Sequence, residues 1–179
     1  MGIILPVNDR CRIEADSNQW IVMQRCRDDW TARTFWQDLA AAALDCRLLG
    51  LASREELEVF QPFVDRLGRA TSRLSALAEG RETGDLDADL GSCWRVSAES
   101  NPETPRRHWL LTCHEPDKTD ANRRETMGNY RRLDYALRQC LLMRLRQSGR
   151  FETLETIADE IAACFTMSTM AVAAAVTLL

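Results

Sequence analysis

The chain has 179 residues, 23 basic and 27 acidic side chains and a formal net charge of −4. That length suits one domain or two small ones, and the negative balance excludes loose coating of a nucleic-acid backbone by the molecule as a whole. Seven cysteines with no C-x-x-C pair exclude a secreted disulfide framework, and two histidines without ligand spacing leave no zinc site, so neither metal nor cofactor is expected and the bacterial cytoplasm is the expected compartment.

In chain order, Met1-Gly2-Ile3-Ile4-Leu5-Pro6 is too short for a signal peptide, and Gly2 lacks the hydroxyl residue that myristoylation needs further on. Arg10 to Ala15 and Gln19 to Cys26 are short apolar runs broken by Asp16-Ser17-Asn18, which predicts a hairpin, and Trp30 to Phe35 offers a third strand. Thr34 and Gln37 have capping-box spacing. Phe35, Leu39, Ala43, Cys46 and Leu49 then recur at helical intervals up to Gly50, a C-terminal stop. Ser53 and Glu56 form a second capping box, opening a helix with Leu57, Phe60, Val64, Leu67, Leu74 and Leu77 that Pro62 is expected to kink or to split.

Ala78 to Ser92 holds Gly80, Gly84 and Gly91 with Glu82, Asp85, Asp87 and Asp89, and reads as an acidic linker over 79–92. Strands follow near Cys93 to Ala98 and Arg107 to His114, then a long polar loop from Glu115 to Thr126. Leu133, Leu137, Cys140, Leu141 and Leu145 mark one helix; Phe151, Leu154, Ile157, Ile161 and Cys164 mark the next.

The chain contains itself twice. Arg12, Ile13, Ala15, Asp16 and Ser17 return 83 residues later as Arg95, Val96, Ala98, Glu99 and Ser100, and Trp20-Ile21-Val22 returns as Trp109-Leu110-Leu111. At a shift of 94, Trp36 matches Tyr130, Leu39 matches Leu133, Ala42 matches Ala136, Cys46 matches Cys140, Leu48 matches Leu142 and Asp65 matches Asp159. The expected fold is α+β, a tandem duplication of a ββ(β)αα unit, with repeats at 1–78 and 93–179 and small antiparallel sheets packed on helical hairpins. Trp20 and Trp109 are assigned to the core and Cys46 and Cys140 to the apolar side of their helices, whereas Trp30, Trp36 and Trp94 are less well framed by alternation.

The run Arg12-Ile13-x-x-Asp16-x-x-x-Trp20-Ile21-Val22, with the aromatic pair and leucine-spaced hairpin that follow, resembles small uncharacterised accessory proteins of tailed phages and prophages over residues 10–77. The second copy departs from it, with Glu99 in place of Asp16 and an insertion before Trp109. The resemblance carries over no catalytic residue. It implies an inhibitor that docks onto host machinery such as a CRISPR effector complex.

On a helical wheel Arg131, Arg132, Arg138, Arg146 and Arg150 gather on one side, opposite the leucines, and Arg123 and Arg124 precede them. Such a face suits a host defence protein, a ribonucleoprotein or, as the alternative, nucleic acid, and as a surface feature it would tolerate charge reversal. Nothing charged follows Glu160, so Ile161 to Leu179 is expected to be a helix with both faces buried, against the other copy or in a homodimer, rather than a membrane span. Asp16 with Glu99, and Asp65 with Asp159, are duplicated carboxylates that turn and capping roles explain as well as acid-base catalysis does. Without a glycine-rich phosphate loop or Ser-His-Asp order, the expectation is a non-enzymatic binding protein.

Overall fold

A computed structural model describes residues 3–16, 19–81, 86–100, 107–114 and 124–177, the side chains of 100, 107, 124 and 171–177 excepted. The order is β1 (Ile4–Asn8), β2 (Cys11–Ala15), β3 (Trp20–Cys26), β4 (Asp29–Trp36), α1 (Leu39–Leu48), α2 (Arg54–Ala78), β5 (Asp87–Asp89), β6 (Trp94–Ser100), β7 (Arg107–His114), β8 (Arg124–Tyr130), α3 (Leu133–Ser148), a single 3₁₀ turn (Phe151–Thr153) and α4 (Leu154–Thr177). The strands make two four-stranded antiparallel meanders, β1-β2-β3-β4 and β5-β6-β7-β8, so the fold is α+β. The chain divides into two compact units, 1–70 with 142–154 and 71–141 with 155–179. The division falls inside α2 and α3, and the stretch read as an acidic linker holds β5.

In the first unit, strict alternation decides which face is covered. Leu5, Cys11, Ile13, Ala15, Trp20 and Val22 are buried, and Leu39, Ala42, Ala43 and Cys46 of α1 are buried where that helix packs on β2, β3 and β4. Pro6 cannot donate to a ladder and sits where that costs nothing, in the edge strand β1. Asn8 shapes the β1–β2 turn: its carboxamide oxygen accepts from Arg10 and Cys11 N–H, each at 2.8 Å. The Asp16 carboxylate accepts from Gln19 N–H at 3.0 Å, as the predicted hairpin requires, although Ser17 and Asn18 fall outside the described residues.

The first helix starts later than the capping-box spacing at Thr34 implies. Thr34, Phe35 and Trp36 belong to β4, and Asp38 caps α1 by accepting from Ala40 N–H at 2.6 Å. Gly50, at φ +66°, ends it in a Schellman motif, with Leu51 N–H bonded to the Cys46 carbonyl and Gly50 N–H to that of Arg47. The Ser53 and Glu56 box forms as expected, Glu56 accepting from Ser53 N–H at 2.7 Å and Ser53 Oγ from Glu56 N–H at 3.2 Å. That bond holds the Glu56 carboxyl below its ordinary value. Pro62 does not split off a first turn; α2 runs through it. The buried Asp45 carboxylate accepts from Trp36 Nε1 at 3.1 Å and from the Thr34 hydroxyl, tying α1 to β4.

The second sheet follows the same pleat. Ala88, Trp94, Val96, Trp109, Leu111 and Cys113 are buried within it, and Leu133, Ala136, Leu137, Cys140 and Leu141 of α3 are buried in the same unit. Its register matches that of the first sheet strand for strand. Ala15 faces Trp20 and Ile13 faces Val22; Ala98 faces Trp109 and Val96 faces Leu111. Trp36 lies opposite Trp20, and Tyr130 opposite Trp109. Each sheet carries a bulge at the same place, between Val22 and Met23 and between Leu111 and Thr112, and the first has a further register shift between Pro6 and Asn8. Three strands are not legible in the sequence: β1, β5 within the expected linker, and β8, whose first residues Arg124 to Thr126 fall in the expected loop.

Gly128 in β8 faces a closely packed ring. A Cβ there would overlap the hydroxyl and ring of Tyr130, whose burial also pushes its pKa up. Gly128→Ala is expected to lower stability by about 1–3 kcal/mol through overpacking, read as a lower urea midpoint at unchanged slope. In a Tyr130→Ala background the same change should cost almost nothing, a coupling that a double-mutant cycle measures directly.

Candidate functional site

The face of the first sheet turned away from α1 is built from alternate residues that no helix covers. Ile4, Glu14, Ile21 and Phe35 form one row across its four strands, and Pro6, Arg12, Met23 and Ala32 form the next. Arg25 and Trp30, which pair in register, continue it. Ile4 is 53% exposed and Phe35 56%; Ile21, Met23 and Trp30 are half-buried. Within this apolar field lies one ion pair, Arg12 with Glu14, and the Arg12 guanidinium stacks 4.1 Å from the centre of the Trp30 ring. Arg12 Nε is shielded from solvent with no hydrogen-bond partner. Arg25 is exposed and makes no ion pair among the described residues.

The corresponding face of the second sheet is more polar, although Thr112 is buried on it and Leu110 is half-buried. Its two rows are Asp87, Ser97, Leu110 and Asn129, then Asp89, Arg95, Thr112 and Thr126. At matching register positions aspartate stands for Ile4 and for Pro6, threonine for Met23 and for Ala32, and asparagine for Phe35. Arg95 binds Asp87 through two hydrogen bonds across the strands. The fold therefore does not need the apolar side chains of the first open face.

The arginines expected to form one face are distributed. Arg131 and Arg132 precede α3 rather than lying on it. Arg132 donates to the buried Asp134 at 2.9 and 3.1 Å, and Arg138 approaches the same carboxylate at 3.5 Å while donating to the Ser75 hydroxyl at 2.8 and 2.9 Å. Arg146 is half-buried and donates to the Ala15 carbonyl at 3.2 Å; burial lowers its pKa, partly offset by Asp16. Arg131 and Arg150 are exposed without an ion pair among the described residues. Arg123 lies outside the described residues and the Arg124 side chain is not described. Arg131, Arg132 and Arg138 fall in one compact unit, Arg146 and Arg150 in the other.

Sequence reasoning missed the sheet face because it treated apolar strand residues as core. The available signal was an apolar run on both parities, Ile3-Ile4-Leu5 and Trp20-Ile21-Val22-Met23, in strands of an antiparallel sheet. Trp20 and Trp109 are buried to 2% and 1% exposure as expected, and Trp94 joins them at 1%, whereas Trp36 stays 37% exposed.

Three other features contribute less. A groove of about 230 Å³ between α1 and α2 is lined by Ala43, Leu44, Arg47, Leu57, Gln61 and Val64, and is smaller than the several hundred Å³ typical of ligand pockets. Along α4, Ile161, Ala162 and Phe165 are buried while Met167 and Met170 are 64% and 66% exposed, so within the single chain one side of this part of the helix is left uncovered. Among the described residues, no helix is long and apolar enough to cross a membrane, and no group of three His, Cys, Asp or Glu could hold a metal. The chain matches no protein-family model, no curated protein and no solved structure.

Arg146→Glu should therefore destabilise the protein, against the tolerance expected of a surface face. It removes a charged donor to Ala15 and puts a carboxylate beside Asp16, an expected loss of about 1–3 kcal/mol. Arg131→Glu and Arg150→Glu should each move stability by less than about 0.5 kcal/mol. Parallel urea melts of the three variants check the difference.

Proposed function

We propose that the chain is a tandem duplication of a four-strand, two-helix unit that works without catalysis, by stoichiometric binding of a protein partner on the open face of its first sheet. The observation that carries this reading is the exchange at matched register positions: Ile4, Pro6 and Phe35 in one sheet against Asp87, Asp89 and Asn129 in the other. An apolar open face contributes only part of its burial energy to folding until something covers it, whereas a polar one needs no cover. The duplication is supported by the common register, the common bulge and the four strands and two helices in each half.

The partner's chemistry follows from the charges on the face. Arg12 and Arg25 stand against a single Glu14, and Arg12 retains an unused donor, so a surface with apolar side chains and a carboxylate is complementary. Aromatic and arginine residues at the centre of such a patch supply most of the binding energy of protein interfaces. An inhibitor of a host protein or ribonucleoprotein, the role implied by the likeness to phage accessory proteins, would use this face for capture.

Ile4→Asp combined with Phe35→Asp reproduces the chemistry of the second sheet at two exposed positions and should leave the fold intact. Capture of a partner from host lysate by immobilised protein should fall at least about tenfold, a loss of about 1.4 kcal/mol or more. Asn129→Asp on the second sheet should capture normally. The reading is overturned if the double variant captures as well as the wild type. It is also overturned if light scattering shows a dimer that the double variant dissolves, making a second copy the occupant, or if the activity proves to be DNA binding that weakens steeply with salt.

A further inference from the structure

Two cysteines of the second sheet lie within reach of each other at the solvent boundary. Cys93 immediately precedes β6 and is exposed; Cys113 in β7 is buried; their sulfurs are 3.3 Å apart and both thiols are reduced. The His114 N–H bonds to the Cys93 carbonyl at 3.0 Å, and Cys113 lies opposite Trp94, so neighbouring antiparallel strands hold the pair together. Ser92 at φ 46° and Cys93 at φ 71° are consecutive non-glycine residues in the left-handed region, a costly backbone that the packing of the turn must sustain.

The exposed thiol of Cys93 is not explained by the fold. At the matching positions of the first sheet stand Arg10, whose carbonyl accepts from Arg25 N–H at 2.9 Å, and Gln24, which lies opposite Cys11. An exposed cysteine at a position that accepts arginine is not serving as a small core hydrophobe.

We propose that Cys93 and Cys113 form a dithiol site that hydroperoxides oxidise to an intrachain disulfide. The Cys93 thiolate attacks the peroxide oxygen, the O–O bond breaks, and the leaving oxygen departs as water or alcohol after protonation, leaving a sulfenic acid on Cys93. The Cys113 sulfur then attacks the Cys93 sulfur; its proton and the displaced hydroxide leave together as water. Two thiols lose two electrons to one peroxide, and the sulfurs close from 3.3 Å to the bond length of about 2.05 Å.

The chain carries its own controls. Cys26 is exposed at the end of β3 and has no thiol beside it. Cys11 and Cys46 lie 3.4 Å apart, but both are fully buried, out of reach of an oxidant.

The test is to treat the reduced full-length protein with hydrogen peroxide, quench with an alkylating agent and map peptides by mass spectrometry. A Cys93–Cys113 crosslink within one chain should form, whereas oxidised Cys26 should be trapped by dimedone as the sulfenic acid. Cys113→Ser should instead accumulate a dimedone-reactive sulfenic acid on Cys93, and Cys93→Ser should leave Cys113 unoxidised over the same time. Oxidation of Cys93 without an intrachain crosslink would overturn the proposal, as would crosslinks only between chains. The wild-type result decides it even if a variant fails to fold.

Discussion

A four-stranded antiparallel sheet has two faces, and the pleat sends successive side chains to opposite ones. Covering one face with a helix therefore fixes the polarity that the other must have to sit stably in water. The second sheet obeys this constraint with Asp87, Asp89, Thr126 and Asn129 on its open side. The first violates it with Ile4, Ile21, Met23 and Phe35. Burial of a large aliphatic or aromatic side chain stabilises by about 1.5–3 kcal/mol, and these residues realise only part of that in the chain alone. The unrealised remainder is what the proposed interface would draw on, and the Arg12–Glu14 pair with its Trp30 stack is the polar feature of that face.

Much of the fold was legible because buried positions carry redundant signals. Trp20 and Trp109, and Cys46 and Cys140, fit both the local periodicity and the internal repeat, and all four are buried as those patterns require. The capping box at Ser53 and Glu56 and the stop at Gly50 were legible because each is a local backbone requirement. What escaped was set by distant partners. Pro6 makes β1 look like the end of a strand until β2 is known to pair with it on one side only. β5 is three residues long, with two aspartates flanking the buried Ala88, so its composition resembles a linker and only its pairing with β6 makes it a strand.

The arginines show the same limit from the other direction. A helical wheel reports which side chains share an angle, not which acceptors lie within reach. Asp134, in the first turn of the same helix, draws both Arg132 and Arg138, and Arg146 extends its long stem to the Ala15 carbonyl. A carboxylate buried as deeply as Asp134 is costly without cations beside it, so these guanidiniums are engaged in the fold. An exposed arginine such as Arg25, with no ion pair among the described residues, is chemically different from a paired one, and sequence alone does not distinguish them.

Two sheets with one register also separate what packing requires from what it permits. Where helices cover the strands, matched positions keep their character: Ile13 with Val96, Val22 with Leu111, Trp20 with Trp109. Where solvent is the neighbour, they diverge, and in opposite senses. The first sheet places apolar side chains on its open face, while the second keeps that face polar and places Cys93 and Cys113 at its end, where the first has Arg10 and Gln24. If solvent-facing divergence were merely relaxed constraint, it would trend towards small polar residues at both sites. Large apolar side chains on the open face of the first sheet, and the exposed Cys93 thiol where the first sheet has the exposed Arg10, run against the solvation cost in each case.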